Sequence, residues 1–325
     1  MTRLDDKLAR IRAGAYTSAD FIIADAKDGD MGFGTPAPGP RPGKPDQSKT
    51  KAEYLDAMRA MTRSGLVDIM LMSASSAEVL AGEGIFADGA VTPAVRLNDT
   101  TDIWSQRHAR YKATPSRPFR TASPAAASRF ADLGLYSVTF SNDVECDLDS
   151  LEAYAAFRAE AELTGMRHFL EVFNPAFDIG IAPADLPFYI NDCIVRAVAG
   201  LVSAERPLFL KMQFNGARAM EELASYDPTN LIVGILGGAK GTTRDTFELV
   251  AQAEKHGARV ALFGRKINLA EAPVDLVGMM RRVIERSVSP AEAVKAYHGR
   301  LAELGLKPTL PLESDLEITD PVLRG

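Results

Sequence analysis

The chain has 325 residues, 46% of them hydrophobic and 25% charged, at a formal net charge of −6; this is the make-up of a folded globular protein, long enough for one large domain or two small ones. The acidic balance, with no basic run interleaved with aromatics, excludes a general attraction to nucleic acid or to an anionic membrane surface. Two distant cysteines, Cys146 and Cys193, exclude a disulfide scaffold and fit a reducing compartment.

In chain order, the opening Met1-Thr2-Arg3-Leu4-Asp5 is charged where a signal peptide would be apolar. No apolar run approaches the ~18 residues of a membrane helix, so the expected location is cytoplasmic. Short apolar, β-prone runs recur at residues 21–25, 67–72, 94–97, 135–140, 168–173, 208–212, 231–236 and 260–264. Most are followed by polar turn residues and then a helical pattern, as in a parallel sheet covered on both faces. Helix starts are marked by Asp149-Ser150-Leu151-Glu152, by Thr242-Thr243-Arg244-Asp245 and by Ser289-Pro290-Ala291-Glu292. Gly165 and Gly257 stand where helices end. This pattern predicts an α/β fold, a (β/α)8 TIM barrel, with residues 1–325 as a single domain. A doubly wound open sheet is the competitor. It would want a Gly-x-Gly-x-x-Gly after the first run or a P-loop signature, and the sequence has neither.

Three stretches depart from the repeat. Residues 34–51 hold Pro36, Pro38, Pro40, Pro42 and Pro45, so they predict a long loop after the first strand, neither helix nor central strand. That loop is either a lid over the site or an inert insertion. After Leu97 the third unit reads as loop rather than helix, with Trp104 as a packing residue. The acidic, proline-punctuated tail, residues 305–325, is expected to run extended over the surface or to meet a second subunit.

Barrel active sites lie at the C-terminal ends of the strands, so charged residues inside the apolar runs are the informative ones. Lys211 lies between Leu210 and Met212 in the sixth run, and a buried lysine needs a reason. Burial disfavours the ammonium form, and a neutral amine can attack a carbonyl to give a Schiff base. Asp25 ends the first run and Glu171 lies in the fifth, so a barrel can bring both to the cavity of Lys211. A carboxylate there could shuttle protons during imine formation and carbon–carbon cleavage, or the three could form a structural ion-pair cluster. The seventh and eighth runs end in Gly237-Gly238-Ala239-Lys240-Gly241-Thr242 and Gly264-Arg265. Glycine turns, a helix start and an arginine at that pair of strand ends predict a phosphate site on Gly237, Gly238, Gly264 and Arg265.

Weaker candidates for substrate contact are Ser73, Arg96, Asn98 and Lys240. His108, His168, His256 and His298 show no metal-ligand spacing, and His256 suits a helix end. Asp25, Asp28 and Asp30 could hold a divalent cation or form a solvated acidic loop; the expectation is no metal and no cofactor.

The ordered set Asp25, Glu171, Lys211, Gly237-Gly238 and Gly264-Arg265 resembles the class I, Schiff-base aldolases of the tagatose-bisphosphate and archaeal-type fructose-bisphosphate group. The resemblance implies that Lys211 forms the imine, that Glu171 is its proton-transfer partner, and that the glycine turns with Arg265 bind phosphate. It also implies a homo-oligomer and a small phosphorylated substrate. The first run, Ala24-Asp25-Ala26-Lys27-Asp28-Gly29, departs from the Asp-His-Gly of such aldolases. The residues alone also admit a sugar-phosphate isomerase or epimerase with Glu171 or Asp25 as base, and a non-catalytic barrel that binds a phosphorylated ligand.

Overall fold

The computed structural model describes residues 2–41, 44–103 and 106–324; Pro42 and Trp104, on which two of the expectations above fall, lie outside them. Eight parallel strands close into a barrel: β1 Ile22–Lys27, β2 Ile69–Met72, β3 Thr92–Arg96, β4 Leu133–Thr139, β5 Arg167–Phe173, β6 Leu210–Met212, β7 Gly234–Leu236 and β8 Val260–Phe263. β1 pairs with both β2 and β8, which completes the ring.

Side chains alternate between the two faces of each strand. Ile22, Ala24, Leu71, Ala94, Leu133, Leu135, Phe169, Phe209, Val260 and Leu262 form one buried cluster, the barrel interior. Phe169 and Phe209 stack there at 4.7 Å between ring centroids. Their strand neighbours Ile23, Met70, Val95, Tyr136, Leu170, Leu210 and Phe263 belong to a second cluster, between the barrel and its helices. Among those helices are α1 Arg3–Arg12, α2 Lys51–Ser64, α3 Ala74–Gly82, α4 Val144–Thr164, α5 Leu186–Ala199, α6 Ala217–Tyr226, α7 Thr243–Lys255, α8 Pro273–Ile284 and α9 Pro290–Glu303. Among the described residues, no helix is long and apolar enough to cross a membrane.

Helix α1 precedes the first strand and closes the N-terminal end of the barrel. Its Leu4, Leu8 and Ile11 join the interior cluster. Beside it, the fully buried Asp68 accepts from Lys7 Nζ at 3.1 Å and Ile23 N at 2.9 Å and lies 2.8 Å from Arg3 Nε. Arg281 of α8 completes this knot, so one carboxylate ties α1, α8 and two strands together.

The capping signals at Thr242 and Ser289 are real, and both side chains cap as expected. The one at Asp149 is not a helix start. Helix α4 begins six residues earlier, where the Asp143 side chain accepts from Cys146 N, and Ser150 bonds back to Cys146 O at 2.8 Å from within the helix. The proline-rich stretch contains a two-stranded antiparallel ribbon, Pro40–Arg41 with Lys44–Ser48, apart from the barrel. Prolines fit there because such a ribbon has open edges. After β3 a similar short ribbon pairs Asp99–Thr100 with Pro118–Phe119. The tail does not run extended as expected. It forms a helix, Leu312–Asp315, and a 3-10 turn, Pro321–Leu323, folded back on α7 and α9. Asp315 holds His298 at 2.8 Å, and Leu323 O accepts from Gln252 at 2.8 Å.

His168, on the outer face of β5, is buried edge-on to Phe157 and 2.7 Å from Tyr154 Oη. Burial, helped by Arg158, lowers its pKa from 6.5 to about 4, so the folded state keeps the ring neutral. The unfolded chain binds that proton from about pH 6.5 downward, so the stability held by His168 is complete above pH 6.5 and is lost as pH falls towards 4. The full loss is on the order of 3 kcal/mol. Denaturant midpoints measured from pH 7 to 4 should fall less steeply in His168→Gln than in the wild type; equal slopes would contradict the assignment.

Candidate active site

The alternation that fills the barrel with apolar side chains also fixes which residues face its mouth. Counting up by two from Ala94, Leu135, Phe169 and Phe209 leads to Arg96, Ser137, Glu171 and Lys211. Counting from Ala26 leads to Asp28, one residue past β1. The uppermost interior layer is therefore polar, and each of its members is at most 4% exposed. The strand register sets Lys211 opposite Glu171, and Glu171 opposite Ser137.

The layer is joined by hydrogen bonds. Lys211 Nζ lies 2.6 Å from Glu171 Oε1. Glu171 Oε2 accepts from Arg96 Nη2 and from Ser137 Oγ, both at 2.8 Å. Arg96 Nη1 donates to Ser137 Oγ at 2.8 Å, and Nε donates to Asp28 Oδ2 at 2.6 Å. Asn98 fixes the same strand from behind, donating to Ser137 O at 2.8 Å. Burial pushes the Asp28 carboxyl up, but Arg96 and then Lys211 outweigh it and hold it below the usual carboxylate range. Asp99, 3.2 Å from Arg96 Nη1, has the opposite fate. Burial, reinforced by Asp28 and Glu171 against the pull of Arg96, pushes it up to about 7.

Above this layer is a cavity of about 250 Å³. Asp28, Glu171 and Lys211 face one part of it; Gly237, Gly238, Gly264 and Arg265 line another, together with Asn268. Two of these glycines are required by close approach: a Cβ at Gly237 would lie 3.0 Å from the Phe263 ring, and one at Gly264 would lie 3.0 Å from Ala26 O. Phe33, Tyr54, Ile103 and Phe173 supply apolar wall. The chain segments at the mouth are tied to one another. Asn268 donates to Ala37 O at 3.0 Å, Arg107 to Thr35 Oγ1 at 3.2 Å, and Ala176 N to Asp102 Oδ2 at 3.2 Å. Phe33 and Ala37 thus bring the segment after β1 into the cavity wall.

Several sequence expectations need correction. Asp25 does not join Lys211: it is on the outer face of β1 with Ile23 and Lys27, and both of its oxygens take Lys27 Nζ, at 2.7 and 2.8 Å. Asp28 occupies the cavity in its place. The aspartates weighed as a metal site diverge, since Asp25 holds Lys27, Asp28 holds Arg96, and Asp30 holds Lys51 at 2.6 Å. Ser73 belongs to that last group, donating to Asp30 at 2.9 Å, and does not line the cavity. Lys240 turns away, its Nζ 3.3 Å from Thr309 Oγ1 and 3.7 Å from Glu271. Arg96 and Asn98 hold the polar layer from below the cavity. The helix start expected to help bind phosphate is already taken: Thr243 N donates to Asp315 Oδ1 at 2.7 Å and Thr242 N to Asp245 Oδ2 at 3.0 Å. Of the residues expected to bind phosphate, Gly237, Gly238, Gly264 and Arg265 line the cavity. Asp28 and Ser137 were missed as site members although face alternation marks both. Tyr54, on α2, carries no such mark.

No protein-family model matches the chain, and no curated protein matches it in sequence. Solved structures do resemble it. An archaeal fructose-1,6-bisphosphate aldolase whose catalytic lysine is covalently bound to the carbinolamine intermediate of its substrate superposes with a TM-score of 0.63 at 16% identity, over 87% of this chain and 99% of its own. The fructose-bisphosphate aldolase of Slackia heliotrinireducens gives 0.64 at 12% identity, over 92% and 90%. A protein of Corynebacterium glutamicum gives 0.59 at 18% identity, over 89% and 99%. At these identities the likeness is one of fold, a closed eight-stranded parallel barrel.

Because Asp25 neutralises a lysine inside the protein rather than facing the cavity, Asp25→Asn should act on stability, at a cost of about 3–5 kcal/mol from the stranded charge of Lys27. Ligand affinity measured on the folded fraction should be unchanged; a loss of affinity at full stability would return Asp25 to the site.

Proposed function

We propose that this barrel is a Schiff-base lyase, an aldolase that makes or breaks a carbon–carbon bond in a small phosphorylated carbonyl compound, with Lys211 as the imine-forming residue. The observation that carries the reading is the 2.6 Å contact between Lys211 Nζ and Glu171 Oε1 at the cavity that Gly238 and Arg265 also line. The fold likeness to aldolases, one of them caught with its catalytic lysine in a carbinolamine, supports it.

The chemistry asks for an amine with a proton acceptor beside it, and for an anchor that presents the carbonyl to that amine. Glu171 Oε1 takes one proton from the lysine, the freed nitrogen pair bonds to the carbonyl carbon as the C=O π pair moves to oxygen, and a second nitrogen proton passes to that oxygen to give the neutral carbinolamine. Glu171 gives its proton to the carbinolamine hydroxyl, which leaves as water to form the iminium; the iminium draws the electron pair of the breaking C–C bond into an enamine and frees the aldehyde. Protonation of the enamine and hydrolysis return the lysine and the second product. Asp28, held ionised by Arg96 and Lys211, is the second carboxylate facing the cavity and suits removal of the hydroxyl proton from the carbon that becomes the aldehyde. The phosphate sits against the Gly237-Gly238 and Gly264-Arg265 turns, where backbone N–H groups can approach it and Arg265 can donate two hydrogen bonds. An isomerase reading loses its Asp25 arm, because that residue lies outside the barrel interior, and keeps Glu171.

Borohydride added with a panel of phosphorylated ketoses should reduce an adduct onto Lys211, read as a mass increase on the peptide that contains it. Lys211→Ala should give neither adduct nor turnover. Absence of any adduct in an active enzyme, with activity lost in Glu171→Gln, would replace the imine by simple proton abstraction. Arg265→Ala should raise KM for phosphorylated substrates by about tenfold or more, the worth of a charged hydrogen bond, while an unphosphorylated analogue is turned over as before. Equal effects on both would move the phosphate elsewhere.

A further inference from the structure

Arg96 does not line the cavity, yet it is fully buried and meets the site from below. Its three nitrogens serve different elements: Nε holds Asp28 past β1 at 2.6 Å, Nη2 holds Glu171 on β5 at 2.8 Å, and Nη1 holds Ser137 on β4 at 2.8 Å. Ser137 Oγ donates a hydrogen bond to the same Glu171 oxygen, Oε2, at 2.8 Å. Glu171 therefore has one oxygen saturated by two donors and the other, Oε1, turned to Lys211.

We propose that Arg96, with Ser137, is a positioning residue that makes Glu171 a one-oxygen base for Lys211 and keeps Asp28 as a separate proton site at the same cavity. The proposal rests on the imine reading above and adds a cause for its selectivity. A carboxylate free to rotate could offer either oxygen to the lysine. Clamped at Oε2, it can accept the amine proton through Oε1 alone. Charge balance by itself does not need this geometry. The groups that face Glu171 are Lys211, Arg96, Asp28 and Asp99, and a lysine in place of Arg96 would supply the same positive charge. What a lysine lacks is the planar fork that reaches Asp28 and Glu171 at once.

The test separates fork from charge. Arg96→Lys and Ser137→Ala are compared with wild type for the rate of borohydride-trapped adduct at saturating ketose, for KM, and for the pH profile of kcat. The expected result is a trapping rate down by about tenfold in Ser137→Ala and by about a hundredfold in Arg96→Lys, with KM within about threefold in both. The acid limb of the profile moves to higher pH, because a carboxylate that loses a donor holds its proton more firmly. Wild-type trapping rates and an unmoved acid limb in either folded variant would overturn the proposal while leaving the imine reading intact. No adduct in the wild type would remove both. If Arg96→Lys does not fold, Ser137→Ala, which removes one hydroxyl, decides alone.

Discussion

The site depends on one constraint: an arginine, a lysine and two carboxylates are taken out of water together, in a single layer at the mouth of an otherwise apolar barrel. Separately, each of these ions would cost several kcal/mol to bury. Together, Lys211, Glu171, Arg96 and Asp28 form a chain of contacts at 2.6 to 2.8 Å in which each cation touches a carboxylate. Asp99 is the carboxylate in excess. It shares Arg96 with the other two, and its proton affinity is the one pushed up to about 7. The layer thus balances two cations against two anions, with a third acid poised near neutrality.

Such a layer can persist only where the rest of the fold supplies the stabilisation it lacks. Below it the barrel is filled by Leu71, Leu135, Phe169, Phe209 and Leu262, and each buried side chain of this kind contributes roughly 1.5–3 kcal/mol. At the opposite end α1 keeps that core dry, and Asp68 pins α1 and α8 to the strands. The two ends are organised alike, each by a hub residue buried among opposite charges, but they differ in access. Asp68 is closed over by Arg3, Lys7 and Arg281, whereas Glu171, Lys211 and Asp28 face a cavity.

Much of this was legible in the chain. Lys211 and Glu171 stood out because a charge within an apolar strand has few explanations, and the strand register does place them side by side. The glycine turns were legible from their place at two strand ends, and the structure adds a packing reason, since Gly237 lies against the Phe263 ring and Gly264 against Ala26 O. Asp25 misled because proximity to a strand end was read without its face. Ile22, Ala24 and Ala26 point inward, so Asp25 and Lys27 point outward and Asp28 inward, a parity the sequence already contained. The α7 start misled for another reason. Its N–H groups are satisfied by Asp245 and by Asp315, seventy-two residues further on, and no local pattern announces a tail that folds back. The ribbons after β1 and β3 were read only as loops, since their short pairings depend on tertiary contacts and not on propensity.

The mouth segments bear on the strength of the site, not merely its shape. Arg107 to Thr35, Asn268 to Ala37 and Ala176 to Asp102 link the excursions after β1, β3, β5 and β8. With Phe33, Ile103 and Phe173 they place apolar wall and peptide groups where bulk water would otherwise stand. Lower local polarisability strengthens the interaction between Lys211 and the carboxylate it touches. The ties across the mouth include these single hydrogen bonds between loops, each a net contribution of about 1 kcal/mol, and the Arg265 guanidinium over the Phe33 ring, whereas the layer beneath is held by ion pairs between strands. The geometry of Lys211 and Glu171 is therefore fixed from below, by strand register and ion pairs, and does not depend on the loop contacts above.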